Sequence, residues 1–237
     1  MKRLYLLLPS MLIAVAPLRA QFSIGIQAGA GRNYLHTDIS NRPFTAYKAS
    51  TIFEVGVPVR YTFNTWLSAQ TGLQFAQKNY EMYRSGYYDG IYEKTINNYL
   101  QLPVMAHFSF GGPKIKGFLD LGGYTAWWMS SKRKGTQPNM ENVVETPEKY
   151  TSIFDMYRPY HYSEKYTFNG TKDRRMEWGG LAGIGVEYSP VPNYLLFITG
   201  RYTVAFTDQQ KNYMVHLVPR YNETFSVQLG GMITISR

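Results

Sequence analysis

Between Ile52 and Phe63 every second residue is apolar. Phe53, Val55, Val57, Val59, Tyr61 and Phe63 share one face, and Glu54, Gly56, Pro58, Arg60 and Thr62 share the other. A repeat of two places alternate side chains on opposite sides of an extended strand, and no helix meets it. The repeat returns over residues 22–31, 67–78, 100–109, 119–127, 177–188, 196–207 and 224–235. That makes eight strands, each near or above the roughly 9–11 residues that carry a tilted strand across a bilayer. Their polar faces hold Gly, Ser, Thr and Gln with scattered charges, too hydrophilic for a core. The apolar faces need covering, and lipid can cover them.

Composition closes other routes. Hydrophobic residues make up 44%, aromatics 16% and charged residues 17% of the 237, too apolar and too lightly charged for a disordered chain. Away from the N-terminus no apolar run approaches the roughly 20 residues of a spanning helix. With Cys 0 there is no disulfide, thiolate metal site, cysteine nucleophile or lipoprotein anchor.

The connections alternate in length. Short ones fall at Asn64-Thr65 and over residues 111–114 and 189–193; long ones span 33–49, 81–93, 131–175 and 208–220. Tyr61, Phe63, Trp66, Phe108, Phe110, Tyr188 and Tyr194 gather beside the short turns. Trp127, Trp128, Trp178, Phe206 and Phe225 gather beside the long connections. Short turns at one end, long loops at the other and an aromatic girdle at each interface describe a bacterial outer-membrane barrel. The expected fold is all-β, an eight-stranded antiparallel up-and-down transmembrane β-barrel over residues 21–237. It would sit in the outer membrane of a Gram-negative cell with both termini periplasmic.

Residues 1–20 read as a secretory signal peptide. Lys2 and Arg3 precede an apolar stretch, and Ala20 stands before Gln21. Without Lys2, Arg3 and Arg19 the formal charge falls from +9 to +6 (9 − 3). A basic exported chain points to anionic lipid headgroups, lipopolysaccharide among them, or to acidic surface glycans, and away from nucleic acid.

An eight-stranded barrel is just wide enough for side chains to fill it, so its interior charges must pair or stay hydrated. Glu54, Arg60, Asp120, Glu187 and Arg201 fall on polar faces, as do Lys78 and Glu177. The expectation is a plug in which Arg201 and Arg60 neutralise Asp120 and Glu187, with a proton or ion path as the alternative. His36, His161 and His216 lie in long connections and His107 on a polar strand face. No spacing links them into a triad or metal site, so no catalytic residue, metal or cofactor is expected. In the 131–175 connection, Lys132, Arg133, Lys134, Lys172, Arg174 and Arg175 flank a Tyr-rich tip. These six are candidate contacts for lipid phosphates, and the tip is a candidate protein-contact surface.

Residues 67–75 (LSAQTGLQF), 98–104 (NYLQLPV), 121–127 (LGGYTAW), 179–188 (GGLAGIGVEY) and 200–202 (GRY) resemble an outer-membrane barrel family of Bacteroidetes that includes PorT and its relatives. The resemblance covers nearly the whole chain after residue 20. It implies an accessory role in protein export through type IX secretion, exercised through other secretion-system proteins and not by catalysis. The alternatives are a small structural or adhesive barrel of the OmpA transmembrane type and a narrow porin.

Overall fold

The computed structural model describes residues 21–38 and 42–235; the expected signal segment, residues 1–20, lies outside them. Ten strands follow in order: β1 (Gln21–His36), β2 (Thr45–Thr62), β3 (Leu67–Gln77), β4 (Tyr80–Arg84), β5 (Tyr92–Gly111), β6 (Ile115–Val143), β7 (Tyr157–Lys165), β8 (Met176–Tyr188), β9 (Tyr194–Ala205) and β10 (Tyr221–Ile235). A single-turn helix, α1 (Ile153–Met156), precedes β7. Eight strands form a closed antiparallel ring, β1-β2-β3-β5-β6-β8-β9-β10, in which β10 returns to β1. The closing seam runs from Phe22↔Ile235 to His36↔Tyr221. A closed ring has no free edge, so each wall strand finds backbone partners on both sides.

Alternation decides what faces where. Gln27, Gln70, Gln74, Gln101, Thr199, Ser226 and Gln228 are buried inside the ring, whereas Ile26 is 73% and Ile184 66% exposed on the outside. The outer wall is therefore apolar and the interior polar, the reverse of a soluble barrel. Trp66, Tyr61 and Phe110 stand exposed near the short turns and Trp127, Trp178 and Phe206 near the other end.

The long connections are not all loops, as the sequence pattern suggests. β4 continues β3 after a break at Lys78-Asn79, because both strands pair with β2 and β5. At the break Asn79 Nδ2 donates to the Thr51 carbonyl at 2.9 Å, and the Asn97 N–H donates to Asn79 Oδ1 at 3.1 Å. These bonds stand in for missing rungs. β6 runs on for 29 residues; its first half pairs with β8 and its second, from Lys132, with β7. Much of the expected 131–175 loop is thus a hairpin. Together β2, β4, β5, β6 and β7 extend the wall on one side as a five-stranded sheet, here termed the crown. On the other side β8, β9, β10 and β1 stop lower.

A register shift between Asn98 and Tyr99 leaves an extra residue on β6, with Asn98↔Ser130 followed by Tyr99↔Trp128. Arg175 serves this bulge, donating from Nε to the Trp128 carbonyl at 2.9 Å and from Nη2 to the Met129 carbonyl at 3.3 Å. Trp128 is consequently buried at the mouth and is not part of the upper girdle.

Near the short-turn end Phe118, Phe197 and Met232 pack together inside the ring. Two glycines make room for them. A Cβ on Gly185 would lie 2.4 Å from the Phe118 ring, and one on Gly230 would lie 2.3 Å from the Phe197 ring. Gly200 faces outward, with nothing nearer than 3.9 Å. Gly185→Ala and Gly230→Ala should each lower stability by about 1–3 kcal/mol through overpacking, while Gly200→Ala changes it little. Equilibrium unfolding of the vesicle-inserted protein in guanidinium checks the contrast.

Candidate functional site

The lumen is filled in tiers. Lowest, beside the Phe118 cluster, Arg60 Nη1 bridges Glu187 Oε2 at 2.7 Å and its Nε donates to Gln70 Oε1 at 2.9 Å. His107 Nδ1 lies 2.7 Å from Asp120 Oδ1, and its Nε2 lies 3.5 Å from Glu187 Oε2. The β5–β6 hairpin sets His107 opposite Asp120, and the β2–β3 hairpin sets Arg60 opposite Gln70. Local register thus supplies one partner of each group, and closure of the ring supplies the other.

The middle tier is built from amides. Arg201 Nη1 donates to Gln74 Oε1 at 3.2 Å, Gln27 Nε2 to the same oxygen at 3.3 Å, and Gln228 Nε2 to Glu54 Oε2. Among the described residues no carboxylate comes within ion-pair distance of Arg201; Asp120 takes His107 instead. Among the described residues Arg201 Nε, Gln27 Oε1, Gln74 Nε2 and Gln228 Oε1 are buried without a protein partner. Buried polar atoms of this kind usually hold ordered water. A space of about 10 Å³ beside Gln27, Gln70 and Gln74 is near the volume one water needs.

The upper tier centres on Glu177. It bridges Lys78 and accepts from Tyr124 Oη at 2.8 Å and from Asn222 Nδ2 at 2.6 Å. Lys78 Nζ also lies 4.3 Å from the centre of the Tyr124 ring, a cation–π contact. Sequence alternation places Lys78 and Glu177 inside the barrel. It does not show that they meet, because the break after β3 and the width of the barrel decide that.

Above this tier the mouth is covered. Tyr99 stacks on Trp128 with ring centres 5.9 Å apart, and Trp128 stacks on Tyr166 at 6.2 Å. Phe168 meets Trp128 edge-on at 4.9 Å. The connections bring in the covering groups. Asp173 accepts from Tyr166 Oη at 2.9 Å and from the Asn169 N–H at 2.7 Å. Gln209 Nε2 donates to Tyr99 Oη at 3.1 Å, and Lys211 Nζ to the Gly170 carbonyl at 2.6 Å. Packed rings thus cover the lumen at one end, and Phe118, Phe197 and Met232 pack inside it near the other.

The six basic candidates separate. Lys132 and Lys134 are exposed on the outer face of the crown, and Arg174 is exposed beside the mouth. Arg133 turns inward over the Tyr166 ring at 4.3 Å, and Lys172 lies 5.5 Å from the Tyr213 ring. Arg175 holds the bulge and sits 4.6 Å from the Trp127 ring. On the crown Glu81 accepts from Lys94 Nζ at 2.8 Å, from Tyr83 Oη at 2.8 Å and from Ser50 Oγ at 3.0 Å. Burial pushes the Glu81 carboxyl up, but these bonds together hold it below the usual value. The bond it gives to Glu81, with burial second, pushes the Tyr83 phenol up to about 12. Outside the wall a groove of about 460 Å³ opens between His36, Val204, Phe206 and Tyr221. Among the described residues no cluster of three or more His, Asp or Glu side chains is placed to hold a metal.

The family described as outer membrane protein beta-barrel domain matches residues 19–210. Among solved structures, Ail, the attachment invasion locus protein of Yersinia pestis, aligns at 13% identity and a TM-score of 0.43, covering 90% of this chain and 98% of that one. OprG from Pseudomonas aeruginosa aligns at 11% identity and a TM-score of 0.48, covering 93% of this chain and 98% of that one. Neisserial surface protein A aligns at 12% identity and a TM-score of 0.42, covering 89% and 96%. No curated protein matches.

Breaking one lumenal pair should cost more than deleting it. Arg60→Met strands the Glu187 carboxylate and should destabilise by about 3 kcal/mol, and adding Glu187→Leu should recover most of that loss. A double variant as unstable as the single one in guanidinium unfolding would contradict the pairing.

Proposed function

This chain belongs to the outer membrane protein beta-barrel family, and on that premise we propose that it is a small, plugged barrel that anchors and presents a surface. It would act by contact and not by catalysis. The observation that carries this reading is the combination of a lumen packed toward both ends with a wall that rises on one side only. A conduit needs a continuous path, and the Phe118 cluster and the Tyr99–Trp128–Tyr166 stack obstruct it. An enzyme of this class needs a reactive constellation, and Arg60 with Glu187, His107 with Asp120 and Lys78 with Glu177 are engaged in pairs. In the membrane the short turns and both chain ends would face the periplasm, and the crown would face outward. The terminal rung, Phe22↔Ile235, lies at the short-turn end.

The reading favoured is the structural or adhesive barrel. The crown is already folded, with its own ladder from β2 to β7, and so offers a fixed face that no export partner has to complete. The accessory role in type IX export, implied by the resemblance to PorT relatives, would require other secretion-system proteins docked on the barrel. A plugged ring passes no polypeptide itself. A narrow porin would require the rings at the mouth to move aside.

Two measurements separate these readings. Purified protein in planar bilayers should give no large, steady conductance; such a conductance would establish a pore. Cells lacking the gene should secrete their usual proteins, whereas cargo held back in the periplasm would favour the export role.

A further inference from the structure

The crown sorts its charges by face. Paired rungs place Lys48 beside Glu81, Glu81 beside Lys94, and Lys94 beside Lys134; Lys132 lies two residues from Lys134 and opposite Lys165. By strand parity these six share the outer face, giving five lysines against one glutamate, a net +4 (5 − 1). Over the same rungs the inner face carries Arg84, Arg133, Glu93 and Glu164, a net of zero (2 − 2). Two of the outer rungs, Lys94↔Lys134 and Lys132↔Lys165, set like charges directly opposite each other, which destabilises a sheet unless something neutralises them. Glu81 answers Lys94 alone, and Lys48 rests 4.5 Å from the Tyr83 ring. Lys132, Lys134 and Lys165 are exposed, and among the described residues none has an acidic partner.

We propose that Lys132, Lys134 and Lys165 form a binding site for the phosphate groups of a phosphorylated glycolipid in the leaflet around the crown. Strand geometry puts Lys132 and Lys134 about 7 Å apart and Lys165 about 5 Å across the ladder, a spacing that one or two phosphates can bridge. Position selects the lipid over a soluble polyanion. The outer face of β5 and β6 descends from Ile96 and Lys132 through one polar rung, Asn98↔Ser130, to Leu100 and Trp127, exposed on the apolar wall. The three lysines therefore stand a polar rung or more above the apolar wall, at the level of the headgroups. Arg133, on the opposite face, is no part of the site. This inference rests on the reading that the crown projects from the membrane.

The test uses the full barrel in phosphatidylcholine nanodiscs containing a few per cent of bisphosphorylated lipid A, or the same lipid with both phosphates removed. Native mass spectrometry counts the lipid A retained per barrel. The unaltered chain should retain the phosphorylated form at least tenfold better than the dephosphorylated one. The triple change Lys132→Gln, Lys134→Gln, Lys165→Gln should abolish most of that preference. Arginine at the same three positions should keep it, as should Lys114→Gln at the short-turn end. A heat-dependent gel shift reports that each variant is a folded barrel. Equal retention of both lipids, or an unchanged preference in the triple glutamine variant, overturns the site. Capture of a soluble sulfated polysaccharide without any lipid preference overturns it equally. Failure of the unaltered chain to enter the discs would instead remove the membrane reading beneath it.

Discussion

The pairing of β1 with β10 is the contact on which the rest depends. In hydrocarbon an unpaired backbone N–H or C=O costs several kcal/mol, and an open eight-stranded sheet would leave two whole edges of them. The seam from Phe22↔Ile235 to His36↔Tyr221 removes both edges. It joins the two ends of the described chain, so its contacts are the most distant in sequence that the fold makes. Until it closes, Ser23 has no Thr234 at 2.9 Å, and Asn33 has neither Asn222 at 3.2 Å nor Thr224 at 2.7 Å.

Closure also dictates the interior. Outward positions belong to lipid, so polar and charged residues can only go inside, where the narrow ring brings them within reach of one another. Glu187 draws Arg60 and His107 from strands far away in sequence, and Glu177 draws Lys78, Tyr124 and Asn222. These pairs are not a source of large net stability, since the desolvation of each charge offsets much of its attraction. Their physical role is to let charged side chains pack inside a narrow ring. Aromatic residues finish it at both ends, over Gly185 and Gly230 below and under the loop bearing Tyr166 and Phe168 above.

Much of this was legible in the residues. The wall, its sidedness and the alternation of short and long connections follow from a repeat of two, because a strand offers its side chains no other choice. The lumenal positions of Glu54, Arg60, Asp120, Glu187 and Arg201 follow for the same reason. Partner identity follows only in part. His107 with Asp120 and Arg60 with Gln70 face each other across tight hairpins, so counting back from the turns finds them. Arg60 with Glu187 and Lys78 with Glu177 meet across the lumen, where strand stagger decides, and no short-range pattern encodes it. Arg201 shows the limit: its face was evident, but its partner is the amide of Gln74 and not a carboxylate. The crown was hidden because Lys132, Lys134, Thr136 and Pro138 lack the apolar alternation of the wall. Their strand is stabilised by the ladder to β7, not by lipid.

Wall, lumen and crown all depend on ring closure. The chain has Cys 0, so Ala28→Cys with Leu229→Cys, which face each other across the seam, introduces a single addressable pair. After insertion into vesicles, a short thiol-specific cross-linker should join the two within one chain, in high yield and independently of protein concentration. Cross-links that form only between chains, or none at all, would contradict a closed barrel.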